Sequence, residues 1–122
     1  GILIKDNHII AAGSLIGAIE SVQKSSANLP LEIEVDNIDQ IKEALKIGVD
    51  GLLLDNMDAE IIRLAVSMIR KSEHGEDIFI EASGGINLEN IHSYLDTGIN
   101  AISIGALTHG VISKDISLEF IL

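Results

Sequence analysis

Five short apolar runs, each followed by a loop or a stretch of helical periodicity, constrain this chain more than any other feature. They are Ile2-Leu3-Ile4, Leu31 to Asn37, Gly51-Leu52-Leu53-Leu54, Ile78-Phe79-Ile80 and Ala101-Ile102-Ser103-Ile104. Aliphatic and β-branched runs of this length read as strands. Between them, Ser14 is placed to cap a helix with Leu15, Ala18, Ile19 and Val22 on its apolar face, and Ile38, Ile41, Ala44 and Leu45 form a stripe that Gly48 ends. Asp58 caps a further helix with Ile61, Ala65, Met68 and Ile69 inward, and Asn87 caps one with Leu88, Ile91 and Leu95 inward, closed by Gly98. Ser25 to Pro30 reads as a loop, and Lys114 to Leu122 as a short terminal helix or extended tail. Mostly apolar strands alternating with helices predict a parallel sheet covered by helices.

Two architectures share that alternation. The strand spacing is close to that of a (β/α) barrel, whose full form needs about 250 residues. The 122 residues here hold only five such units. An open doubly wound sheet closes its core with that number, whereas part of a barrel leaves an unpaired edge and an uncovered interior. The expected fold is α/β, with parallel (β/α) units forming part of an incomplete TIM-like barrel; the doubly wound sheet is the alternative. No linker, composition break or low-complexity run divides residues 1–122, so they form one structural unit.

Charge and composition exclude several classes of function. Nineteen acidic residues against eight Lys and Arg give a net charge of −11, which argues against nucleic acid as a partner. The same excess means that a site for a highly anionic substrate needs part of its positive charge from elsewhere. With no Cys there is no disulfide framework and no thiolate metal site. No apolar run approaches the ~20 residues that span a bilayer, so no membrane is expected and the cytoplasm is the expected address.

The chemistry-bearing residues gather where the strands end, which in parallel α/β folds is the active-site rim. Lys5 and His8 follow the first strand, Glu32 and Glu34 alternate within the second, and Asp55-Asn56 ends the third. Glu81 and Ser83-Gly84-Gly85 end the fourth, and Gly105-Ala106 ends the fifth. Period two puts Glu32 and Glu34 on one face, expected to be the interior, since carboxylates against a helix layer need partners. The adjacent glycines let the backbone turn sharply, and a helix starting at Asn87 would aim its positive end at the same point. That geometry suits a phosphate, although a plain βα turn has the same sequence. Asp55 facing Glu34 could reach Mg²⁺ through water or hold ribose hydroxyls. His8 beside a strand end is the weaker candidate, and His74, His92 and His109 have no metal-ligand spacing.

KDNHI (Lys5 to Ile9), LEIEVDN (Leu31 to Asn37), LLLDNM (Leu52 to Met57), EASGGI (Glu81 to Ile86) and ISIGALTH (Ile102 to His109) occur in an order that resembles quinolinate phosphoribosyltransferase. Even Asp115-Ile116-Ser117-Leu118 looks like that family's closing segment. The resemblance is to the C-terminal portion only; family members are longer, with an N-terminal α/β sandwich domain beside an incomplete barrel. It implies the transfer of phosphoribosyl from 5-phosphoribosyl-1-pyrophosphate to quinolinate, with release of pyrophosphate and CO₂, in de novo NAD synthesis. Mg²⁺ is the implied cofactor and a homodimer the implied assembly of the full-length enzyme. Matched block by block, Lys5 would contact the anionic substrates and His8 would line the quinolinate end. Glu34 and Asp55 would sit near the ribose and the metal-bound pyrophosphate, and Ser83, Gly84, Gly85, Gly105 and Ala106 would hold phosphate. The catalytic assignment is Lys5, Glu34 and Asp55. The family's substrate-binding arginines lie upstream of Gly1, and Arg63 and Arg70 fall on a predicted outer helix. Residues 1–122 alone are therefore expected to be inactive. A related phosphoribosyltransferase with another acceptor and a non-catalytic phosphate-binding half-barrel are the alternatives.

Overall fold

The computed structural model describes residues 1–25 and 29–109; the residues from Lys114 to Leu122, including the Asp115–Leu118 segment, lie outside them, as does the middle of the loop before Pro30. The strands are β1 (Ile2–Ile4), β2 (Leu31–Val35), β3 (Gly51–Asp55), β4 (Phe79–Ser83) and β5 (Ala101–Ile102). They form one parallel sheet in the order β1-β2-β3-β4-β5. A doubly wound sheet reverses its order at a switch point. Here the order follows the chain without reversal, as it does along an arc of a barrel. Among the described residues the sheet does not close, and β1 and β5 are its edges. The doubly wound alternative is set aside.

Register explains which side chains face inward. Ile33 pairs with Leu52 and Leu52 with Ile80, while Val35 pairs with Leu54 and Leu54 with Ala82. These residues are all buried and share the face packed under the helices. Helix α2 (Leu15–Ser25) contributes Leu15, Ala18 and Ile19 to that core, and α3 (Ile38–Ile47) contributes Ile41 and Ala44. Their starts follow from side-chain caps: Ser14 Oγ accepts from the Gly17 N–H at 3.0 Å, and Asn37 Oδ1 from the Gln40 N–H at 2.9 Å. Gly48 ends α3 at φ 87°, a conformation open to glycine and costly for residues with a Cβ.

Helix α4 (Ala59–Arg70) starts at Asp58, whose Oδ1 accepts from the Ile61 N–H at 2.9 Å. Its buried face is Ala59, Ile62, Ala65, Val66 and Ile69, so the expected inward position of Ile61 is a correction: Ile61 is exposed, Met68 is half-buried and Ile62 takes the core position. Ala65 and Ile69 keep their expected places, and Ala59, Ile62 and Val66 complete the buried face as an i, i+3 and i+7 series.

Residues Asp6–Ala12, to which the sequence assigns no element, form a helix, α1, and Gly13 caps it at φ 81°. None of its residues is buried, so it carries no apolar stripe by which to recognise it. The helix expected after Asn87 is a run of turns with one 3-10 turn at Ile91–Ser93. Leu88 and Leu95 are exposed rather than inward. Asn87 Oδ1 accepts from the N–H groups of Glu89 and Asn90, while Ser93 and Thr97 hydroxyls donate to the carbonyls of Asn90 and Tyr94. Such local bonds compete with an α-helix. Strand β5 is also shorter than its apolar run, stopping at Ile102.

The reassigned face of α4 is testable. Ile62→Ala should cost about 2–5 kcal/mol of unfolding free energy, whereas Ile61→Ala should fall within about 0.5 kcal/mol of wild type. Urea titration of the two variants checks this, and similar losses in both would contradict the observed face.

Candidate active site

The open face of the sheet is layered by register. Leu3, Glu32, Gly51 and Phe79 align in one row, and Glu34, Leu53, Glu81 and Ala101 in the next. Asp55 and Ser83 pair in the row at the C-terminal ends. Period two thus carries Glu32 and Glu34 away from the helix layer, as expected. The Glu32 side chain lies against Gly51 in the lower row, and the exposed Leu3 and Phe79 show that this end is uncovered among the described residues. Burial, then the charge of Glu81, raises the pKa of Glu32 above the usual carboxylate range, and its Oε1 is buried without a hydrogen-bond partner.

At the C-terminal ends of β1, β2 and β3, Lys5, Glu34 and Asp55 come together. Lys5 Nζ lies 3.0 Å from Glu34 Oε2; the lysine is half-exposed and the glutamate largely covered. The Glu34 carboxylate holds the Lys5 pKa above its ordinary value, with smaller contributions from Asp55 and Asp6. Glu34 and Asp55 line a small cavity of about 70 Å³ together with Asp6, Ile9, Asp36 and Gln40. Asp55 is held above the usual carboxylate range, chiefly by burial and then by Glu34, while Lys5 and the Asn56 amide pull the other way. Two carboxylates and one ammonium, partly withdrawn from water, can bind hydroxyl groups and stabilise a developing positive charge.

The next strand supplies the turn. Gly84 and Gly85 have φ of 80° and 66°, so both need glycine's freedom, and a Cβ on Gly84 would collide with Asn56. Asn56 is itself left-handed at φ 53°, donates its backbone N–H to the Ser83 carbonyl at 2.9 Å, and donates Nδ2–H to Asp55 Oδ2 at 2.7 Å. Ser83 and its turn therefore sit beside Asp55. The helix expected to add its dipole there is absent, so any anion at Gly84-Gly85 meets turn amides only. Gly105 and Ala106 follow β5, where Ala106 begins the four-residue α5 (Ala106–His109); both residues are exposed. Ala106 and Ile104 line a cleft with Asn87, Leu88 and Glu89, which joins the two loops.

His8 is exposed at the start of α1, and its Nδ1 accepts the Lys5 N–H at 3.0 Å. Through that bond it shapes the turn carrying Lys5. His74 and His92 are exposed, His74 lying 3.9 Å from Glu73, and the His109 side chain lies outside what is described. Arg63 pairs with Asp96 at 2.7 Å, and Arg70 donates to the carbonyls of Gly75 and Ile78 and to Asn100 Oδ1. Both arginines therefore serve the helix layer. The sequence marks Asn56 only as the partner of Asp55 at the end of its strand and gives it no role, and it does not mark Asp36 or Gln40 as site residues.

Residues 1–119 match the family described as "Quinolinate phosphoribosyl transferase, C-terminal domain". The chain is 38% identical over 117 residues to the nicotinate-nucleotide pyrophosphorylase [carboxylating] of Mycobacterium leprae, covering 96% of this chain and 40% of that protein. It is 34% identical over 121 residues to the rat protein of the same name, covering 97% of this chain and 39% of the relative. The crystal structure of nicotinate-nucleotide pyrophosphorylase from Ehrlichia chaffeensis superposes with a TM-score of 0.83 at 40% identity, over 94% of this chain and 40% of that one. The chain thus spans about two fifths of the length of these relatives.

The raised Asp55 carboxyl yields a signed pH effect. A carboxyl whose pKa is raised on folding contributes stability that is present in acid and lost as pH rises through the folded value. Asp55→Asn should therefore melt above wild type at neutral pH, with the gain shrinking as pH falls toward the ordinary aspartate range. Scanning calorimetry across that range checks it, and parallel pH profiles for the two proteins would show that Asp55 is not desolvated.

Proposed function

The chain belongs to the quinolinate phosphoribosyl transferase family, as its C-terminal domain, and on that premise we propose that it carries the phosphoribosyl-donor side of a nicotinate-nucleotide pyrophosphorylase. The reaction forms a bond between the ring nitrogen of quinolinate and the anomeric carbon of 5-phosphoribosyl-1-pyrophosphate, and breaks the bond from that carbon to pyrophosphate. Loss of the adjacent carboxylate as CO₂ leaves its electron pair on the ring carbon, which takes a proton, giving nicotinate mononucleotide. The observation that best supports this is the meeting of Lys5, Glu34 and Asp55 beside the Ser83-Gly84-Gly85 turn on the neighbouring strand.

Each residue then has a task. Glu34 and Asp55 accept the ribose hydroxyls and stabilise positive charge as pyrophosphate departs. Lys5, held charged by Glu34, turns toward the anionic substrates. His8 lines the quinolinate end with the ring atom not bonded to Lys5. Ser83, Gly84 and Gly85, with Gly105 and Ala106, hold phosphate through turn amides and the serine hydroxyl. Among the described residues no three acidic or imidazole side chains converge to hold a metal by themselves. Glu34 and Asp55 do fit Mg²⁺ carried mainly by water and pyrophosphate oxygens, the ion's usual mode with one or two carboxylates. Bound there, Mg²⁺ would neutralise the leaving group.

The remaining positive charge, which must read a dicarboxylate acceptor, comes from protein beyond these residues, and with it a homodimer is the proposed assembly. A cytoplasmic address is part of the proposal. No described helix is long and apolar enough to cross a membrane.

Two assays test the proposal. Residues 1–122 alone should show no turnover of quinolinate and 5-phosphoribosyl-1-pyrophosphate, whereas the protein at its relatives' full length should release CO₂ and lose that activity on chelation of Mg²⁺. In the full-length protein Glu34→Gln should lower kcat on the order of a hundredfold. Turnover with a different acceptor, or an unaffected Glu34→Gln variant, would overturn the assignment.

A further inference from the structure

The residue that joins the two halves of the rim is Asn56. It is exposed and non-glycine, yet it adopts φ 53°, a region that asparagine tolerates better than most residues. From that conformation it makes three connections. Its Nδ2 donates to Asp55 Oδ2 at 2.7 Å, its backbone N–H donates to the Ser83 carbonyl at 2.9 Å, and its carboxamide packs against the Gly84 backbone. A Cβ built on Gly84 would lie 2.7 Å from both the Asn56 backbone nitrogen and Cγ, and closer still to Oδ1. Gly84 therefore has no side chain because Asn56 occupies that space, and the glycine turn is seated on the same carboxamide that holds the aspartate.

We propose that Asn56 is a positioning residue that aligns the Asp55 carboxylate with the Ser83-Gly84-Gly85 turn, so that a ribose phosphate meets both at once. The inference rests on the phosphoribosyl reading above and deepens it. An alanine would lose the bond to Asp55 and also resist the left-handed backbone. A glycine keeps the backbone and loses only the carboxamide. The second variant therefore separates positioning from folding. Positioning shells around a functional group typically change its affinity or activity by tenfold or more when removed.

The test uses the protein at its relatives' full length, with ribose 5-phosphate and inorganic phosphate as probes and the amide resonances of Gly84 and Gly85 as reporters. Asn56→Gly should fold and bind ribose 5-phosphate roughly tenfold more weakly than wild type. Its effect should not add to that of Asp55→Asn, because both act on one carboxylate. Binding of inorganic phosphate, which lacks the ribose hydroxyls that Asp55 would accept, should weaken less than that of ribose 5-phosphate. A merely structural role would weaken both probes alike and would not give the non-additivity. Wild-type binding with unchanged affinity in Asn56→Gly overturns the inference alone. Failure of the wild-type chain to perturb these amides with either probe overturns the phosphoribosyl reading together with it.

Discussion

Ile33, Leu52, Leu54 and Ile80 lie in adjacent strands, wholly buried beneath the helix layer, and their packing sets the register of the parallel sheet. Each such side chain stabilises the fold by about 1.5–3 kcal/mol relative to exposure. Slipping β2 by one residue would drive Glu32 and Glu34 into that layer and bring Ile33 out. The same apolar contacts therefore place Glu34 level with Leu53 and Glu81, and Asp55 level with Ser83, on the opposite face. Hydrophobic packing on one side of the sheet specifies the polar array on the other. No polar interaction at the rim needs to be strong enough to hold the fold.

Charge makes that array unusual for a phosphate-handling site. Lys5 is the only Lys or Arg among the described rim residues, and it is already paired with Glu34. Burial and then the Glu34 charge raise the Asp55 pKa, with a small addition from Asp36, while Glu34, and less strongly Asp55 and Asp6, keep Lys5 charged. The field of these acids opposes a free pyrophosphate and favours a group that becomes positive during reaction. Under the proposed function, carboxylates beside a ribose carbon that loses an anion satisfy that requirement, and the excess substrate charge would be met by Mg²⁺ and by cations outside these residues. The acidity of the chain and its proposed place in catalysis are consistent only because the two kinds of charge act at different points along the substrate.

Most of the sheet and the rim could be read from the residues. The β2 alternation of apolar and acidic positions showed both faces of that strand, and Ser14, Asp58 and Gly48 marked helix ends that the hydrogen bonds bear out. What escaped was structure without an apolar signature. Helix α1 buries none of its residues, so periodicity is silent about it, although Gly13 after Ala11-Ala12 is a legible end. The segment after Gly85 misled for the opposite reason: Leu88, Ile91 and Leu95 have helical spacing, but Asn87, Asn90, Ser93 and Thr97 bond locally and the leucines stay in solvent. At the site, the individual residues were visible because they end apolar runs. Their contacts were not, since the Lys5–Glu34 pair and the Asn56 bridge depend on strands distant in sequence.

The strictly sequential sheet gives this arrangement its logic. Because neighbours in the chain are neighbours in space, the acidic group on β1 to β3 and the glycine loops after β4 and β5 form one continuous rim. A ribose phosphate is a molecule with hydroxyls at one end and an anion at the other, and the rim offers carboxylates followed by turn amides in that order. Asn56 sits at the join, in a conformation that glycine would adopt more easily, and supplies what glycine lacks: a donor for Asp55. An asparagine there forfeits some backbone ease and gains a fixed carboxylate. That exchange is reasonable only where the orientation of the carboxylate matters more than the stability of the turn, which is the condition expected of a site that must recognise both ends of one substrate.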